Sequence, residues 1–167
     1  PQLWHVGAMR KEGMAPDPKV PGYTPSGLVN TNKQAAHAMT ADEVEMLIEC
    51  FVKDILKIKD LGFDGVELHG AHGYLIDNFF WEGTNVREDE YGGSLVKRTQ
   101  FATAIGESIR AEYCEDIPII LRFSQWKQQD YEAKLAYSKM ELEQFLTPLS
   151  DAGVDIFHCS TRRFWEP

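Results

Sequence analysis

The run "IPIILRF", Ile117 to Phe123, is apolar at nearly every position. A strand whose alternate faces are both apolar has to be covered on both sides, the condition of a strand inside a parallel sheet. Three further segments read as strands: "PQLWHVG" (Pro1 to Gly7), "DGVELH" (Asp64 to His69) and "VDIFHCS" (Val154 to Ser160). Helices are expected between them. Thr40-Ala41-Asp42-Glu43 has the Thr-x-x-Glu form of a capping box, and Val44, Leu47, Ile48, Phe51, Ile55, Leu56 and Ile58 follow at helical spacing, so a helix should run to about Leu61 and stop at Gly62. Ser94 can cap a second helix bearing Leu95, Phe101, Ile105 and Ile109. A third should span about Ser138 to Ala152, with Gly153 ending it. Strand and helix alternate throughout, which implies right-handed crossovers and an α/β fold on a parallel sheet. Ala8 to Ala38, rich in Pro, Gly, Asn and Lys, reads as a long loop with little regular structure, of the kind that is usually functional or disordered.

Composition narrows the partners. The net charge is −9 and the basic residues are scattered, so neither nucleic acid nor an anionic membrane is an expected partner. A small-molecule substrate fits better. The three cysteines, Cys50, Cys114 and Cys159, form no Cys-x-x-Cys pair. They read as free, mostly buried thiols of a reducing compartment. With no apolar run near the roughly 18 residues of a membrane span and no charged-then-apolar leader, a cytoplasmic protein is expected.

The two ends add an expectation about extent. The chain starts with a proline inside a strand and ends at Trp165-Glu166-Pro167, just after another strand. Four strands cannot close a (β/α) barrel, which needs eight and typically about 250 residues. Residues 1–167 are therefore expected to be about half of one such domain, within a longer chain. Produced alone, that half should expose two sheet edges and an apolar inner face and should associate.

In a parallel barrel, chemistry sits at the carboxyl ends of the strands. His69, His72, Tyr74 and Arg122 all fall at such ends. Taken singly, each has an ordinary structural explanation; their joint placement is the signal. His69-x-x-His72 could also be half of a zinc site, although spacing places no third ligand. His5 and His158 also lie near strand ends and leave a metal reading open.

The stretch "GFDGVELHGAHGYLIDNFF", followed by "TN", an arginine at 87 and "DEYGGSLVKR", closely resembles the signature region of the old yellow enzyme family of FMN-dependent NAD(P)H:flavin oxidoreductases. "QLWHVG", "TPSGL", "LRFS" and "HCSTRRFW" resemble its flanking segments in the same order. The resemblance covers essentially the whole chain. It implies a parallel (β/α)8 TIM barrel of which this chain supplies about strands 3 to 6, with FMN as cofactor and NAD(P)H as reductant. It also implies roles. Gln2 matches the glutamine that hydrogen-bonds the flavin's pyrimidine edge, and Arg122 the arginine that puts positive charge near the same end. His69 and His72 match the pair that binds the substrate's carbonyl or nitro oxygen, and Tyr74 matches the proton donor. The implied reaction is ene-type reduction of activated alkenes or related electrophilic xenobiotics, with a homo-oligomer among the possible assemblies.

Three places depart from the family pattern. Gly7 is followed by Ala8-Met9-Arg10 where Gly-Arg is common; "WEGTN" (Trp81 to Asn85) replaces a Ser-Pro-containing turn; and "SQWKQQDYE" after Arg122 is unusual. These bear on the substrate side more than on the flavin contacts. The alternatives are a dienoyl-CoA reductase or trimethylamine dehydrogenase-like relative with an iron–sulfur cluster, against which the paired His69 and His72 argue, and a half-barrel without activity.

Overall fold

A computed structural model of the chain describes residues 1–112 and 117–160. Cys114 and the segment after Ser160, including the "TRRFW" of the resemblance, lie outside the described residues. The described elements are β1 (Gln2–Leu3), β2 (Tyr23–Thr24), β3 (Leu28–Asn30), β4 (Lys33–Gln34), β5 (His37–Ala38), α1 (Ala41–Asp60), β6 (Val66–His72), α2 (Leu75–Phe80), α3 (Gln100–Glu112), β7 (Ile119–Lys127), α4 (Lys139–Asp151) and β8 (Ile156–Ser160). Short 3-10 turns occupy Gly7–Met9 and Lys97–Thr99.

The principal sheet is parallel, in the order β1-β6-β7-β8. Sequential neighbours in a parallel sheet joined by helices form the arc of a (β/α) barrel. Alternation of side chains then decides what each face carries. Val66 and Leu68 of β6 and Ile119, Leu121 and Phe123 of β7 join the core with Val44, Ile48, Phe51 and Ile55 of α1, Phe101, Ile105 and Ile109 of α3, and Phe145 and Leu149 of α4. The intervening positions, Gln2, Glu67, His69, Arg122 and His158, are polar and share the opposite face, where the register sets Gln2 beside Glu67, His69 beside Arg122 and Arg122 beside His158.

The predicted caps are present. Thr40 accepts from the Glu43 amide while the Glu43 carboxylate takes the Thr40 N–H, completing the capping box. Ser138 caps α4 in the first of these two ways. Ser94 opens the 3-10 turn ahead of α3, with the Lys97 amide donating to its hydroxyl, so the regular helix starts several residues later than expected.

Four expectations need correction. The strand expected over Pro1 to Gly7 is confined to Gln2–Leu3, because the chain turns at Gly7 into the 3-10 turn. Gly7 has φ +56°, and a Cβ there would sit 2.7 Å from the Leu75 backbone and 2.5 Å from the Asn78 amide oxygen, so only glycine lets this turn approach α2. The loop from Ala8 to Ala38 contains two small sheets, β2 with β5 and the hairpin β3 with β4. The hairpin turns through Asn32 at φ 57°, a left-handed position that asparagine tolerates. Inside the stretch read as one loop after β6 lies α2, whose six residues are all buried. A helix buried all round shows no polar face, so periodicity cannot reveal it. Finally, Cys50 and Cys159 are exposed rather than buried. No helix among the described residues is long and apolar enough to cross a membrane.

Candidate active site

The centre of the site is the carboxyl end of β6. His69 is the last residue of regular alternation and is 6% exposed; Gly70 and Ala71 follow, and His72 adopts φ 63°. A histidine in the left-handed region is uncommon, and such a conformation persists only where neighbours over-determine it. Gly73 continues the turn at φ +82°, with a Cβ there blocked by the Gln129 side chain. Tyr74 is the N-cap of α2. This one turn brings three rings together. The His69 centroid is 5.2 Å from both His72 and Tyr74, and Trp4, at the end of β1, closes edge-on to Tyr74 at 4.8 Å and to His69 at 6.3 Å.

Burial makes both imidazoles neutral. The His69 pKa falls to about 4, first through desolvation and then through the Arg122 charge. The His72 pKa also falls to about 4, through desolvation and then the neighbouring His69 and Arg122. A neutral imidazole offers one N–H donor and one acceptor. The His72 Nε2 lies 2.6 Å from the Ser160 hydroxyl, and that hydroxyl accepts from Arg122 Nη2 at 3.2 Å, leaving its own proton for the imidazole nitrogen. Among the described residues, the buried atoms His69 Nδ1 and Arg122 Nε have no hydrogen-bond partner. Buried polar atoms of this kind are costly, and a bound ligand is one way to satisfy them.

Below this cluster a second polar set spans three strands. Gln2 donates to Glu67, and His158 Nδ1 lies 2.7 Å from the other Glu67 oxygen. Burial pushes the Glu67 carboxyl up, but the contacts with His158 and Gln2 outweigh it and its pKa is lowered.

All five site residues expected from the sequence therefore lie on one face or at one strand end, with Gln2 and Arg122 two strands apart on either side of β6. Arg10 does not join them. It donates to the carbonyls of Val20, Met14, Ala15 and Asp17 and closes a loop of its own. His5 accepts the Gly7 amide and serves the local turn. No group of three metal-ligating side chains occurs among the described residues.

Several contributors escape a sequence reading. Lys127 and Asp77 form an ion pair of 2.7 Å with both side chains wholly buried, and Asp77 also accepts the Gly73 amide at 2.7 Å. Burial pushes the Asp77 carboxyl up and the Lys127 ammonium down, and their mutual contact opposes both shifts. A lysine after an apolar strand ordinarily signals solvent, so only the aspartate within "LIDNFF" hinted at the pair. Trp126, stacked on His72, was marked only as part of the unusual stretch "SQWKQQDYE", with nothing to single it out. The "TN" and arginine of the signature region hold the structure together locally, since Asn85 donates to the Phe79 and Tyr91 carbonyls and Arg87 to the Pro25 and Met39 carbonyls. They tie the long loop to the turn after α2.

Comparison with known proteins places the chain in a family. Residues 2–164 match the NADH:flavin oxidoreductase / NADH oxidase family. The chain belongs to that family. It is 35% identical over 161 residues to an NADH oxidase of Thermoanaerobacter brockii, covering 95% of this chain and 24% of that protein. It is 32% identical over 161 residues to an NADPH dehydrogenase of Clostridium acetobutylicum, covering 96% and 45%. The structure of an old yellow enzyme homologue from Zymomonas mobilis superposes with a TM-score of 0.74 at 27% identity, covering 93% of this chain and 45% of that one. The chain thus spans less than half the length of each of these relatives, and its four parallel strands are part of an old yellow enzyme barrel.

Proposed function

We propose that the full-length protein is an FMN-dependent oxidoreductase that uses NAD(P)H to reduce activated alkenes or related small electrophiles. This chain would supply the substrate-binding and proton-donating side chains and part of the flavin site. The observation that carries the reading is the convergence of His69, His72 and Tyr74 on one turn, with Arg122 in register on the next strand. Names of the relatives, an NADH oxidase and an NADPH dehydrogenase, support the choice of reductant.

The residues fit the flavin. Arg122 Nε is a buried donor with no acceptor among the described residues, and an oxygen- and nitrogen-rich ring edge would provide one. Gln2 and Arg122 would hold that edge, and the guanidinium would favour the cofactor's reduced, anionic form. Bound FMN would supply hydride from N5. The remaining work falls to the chain. Two neutral imidazoles, His69 and His72, donate to the substrate oxygen and lower the cost of negative charge arriving there. Their neutrality keeps them donors without adding a buried positive charge. The Tyr74 hydroxyl, on a ring 5.2 Å from that of His69, gives the proton to the α-carbon.

The test separates the two half-reactions by stopped-flow absorbance of the flavin in full-length enzyme. Tyr74→Phe should slow reoxidation by an α,β-unsaturated ketone by about 10²–10⁴-fold and leave reduction by NAD(P)H unchanged, since only the former consumes the proton. Equal slowing of both would give Tyr74 a structural role.

A further inference from the structure

Between Gly70 and His72 the pairing of β6 with β7 slips: Gly70 faces Phe123, but His72 faces Lys127. Ser124, Gln125 and Trp126 therefore stand opposite the single residue Ala71, a bulge that lifts Trp126 over the site. Its indole lies flat on the His72 imidazole, 4.9 Å between centroids at 22°, and Tyr131 backs the indole at 5.5 Å.

The bulge is pinned on each side of Trp126. The Ser124 hydroxyl accepts the His72 amide at 2.9 Å and donates to the Trp126 carbonyl at 2.8 Å. Lys127 donates to the Ser124 carbonyl at 3.0 Å and reaches Asp77 at the foot of Tyr74's helix. The Gln128 amide donates to the His72 carbonyl at 3.3 Å. The His72 backbone is thus held by Ser124 and Gln128, its ring face lies on Trp126, and Ser160 meets its Nε2. Trp126 is half-buried, and one face of its ring is laid on a polar partner. This is the segment "SQWKQQDYE" that departs from the family pattern.

We propose that Trp126 is a positioning residue for His72, stacking on the imidazole so that its N–H is held in the orientation that binds the substrate oxygen. The inference rests on the role given to His72 above. Stacking of two planar rings restricts the imidazole about its broad terminal torsion, and misorientation at a reacting centre is expensive.

The experiment is a double-mutant cycle in full-length enzyme reconstituted with FMN, with phenol as the probe and its charge-transfer band on the flavin as the readout. Trp126→Leu should weaken phenol by about three- to tenfold, and Trp126→Phe should keep most of the affinity. In a His72→Ala background, Trp126→Leu should add no further loss, because the group it positions is gone. A merely structural tryptophan would give the same loss in both backgrounds, which overturns the proposal, as does unchanged affinity in Trp126→Leu. If His72→Ala itself leaves phenol binding unaltered, the role of His72 fails first and the inference falls with it. Should the leucine variant lose flavin, Trp126→Met takes its place in the cycle.

Discussion

His69 and His72 differ from solvent histidines in one measurable respect, their reluctance to take a proton. Both have folded pKa values near 4, against an ordinary value of 6.5, mainly because burial penalises the imidazolium. Between about pH 6.5 and 4 the unfolded chain binds protons at these positions while the folded one does not. Stability therefore falls as pH drops through that window and levels off below it, once both states are protonated. Urea titrations at a series of pH values should show this slope, and it should become shallower in His69→Gln and His72→Gln. Variants with the wild-type slope would mean that neither ring is held neutral. At the same scale, Tyr74 and the histidine pair were visible in the sequence because three such residues crowd a strand end. The individual roles of Ser160 and Trp126 were not, although each lies in a stretch that the sequence marks, since those roles arise only from neighbouring strands.

Among the elements, the capped helix α1 and the apolar strands were legible because each carries its own signal: a Thr40–Glu43 box, helical spacing, or an unbroken apolar run. The short helix α2 carries none. Its residues are buried on every side, and its place is fixed by partners far away in sequence: Asn78 takes the Ala8 amide, and Asp77 takes Lys127. The small strands β2 to β5 were hidden for the same reason, since two-residue pairings depend on where a loop is laid down. The buried pair makes a prediction about α2. Lys127→Met leaves Asp77 charged and unpaired in the core, at a cost of about 3–5 kcal/mol. Asp77→Asn combined with Lys127→Met removes the stranded charge and keeps an acceptor for the Gly73 amide. The double variant should therefore be more stable than Lys127→Met alone, by thermal unfolding of the full-length enzyme. A double variant equally or less stable would show that the charge is not what Lys127 compensates.

For the whole molecule, the sheet matters through the face that its helices leave uncovered. Trp4 on that side is 51% exposed and Ile156 is 50% exposed, while Gln2 and His158 are exposed polar neighbours on the same surface. β1 and β8 are the outer strands among the described residues, and each pairs on one side only. In a closed barrel such a face is interior and such edges are paired. Edges with free amides and carbonyls recruit other strands, and large exposed apolar side chains favour association. The 167 residues produced by themselves should thus dimerise or form larger species. Flavin binding should be weak in that form, because Gln2 and Arg122 account for only part of a cofactor site and this chain matches 45% of the old yellow enzyme homologue's length. Size-exclusion chromatography with light scattering, read together with flavin absorbance, checks both statements. A monomer holding stoichiometric FMN would show that four strands suffice to build the site and that the exposed face is stable in water.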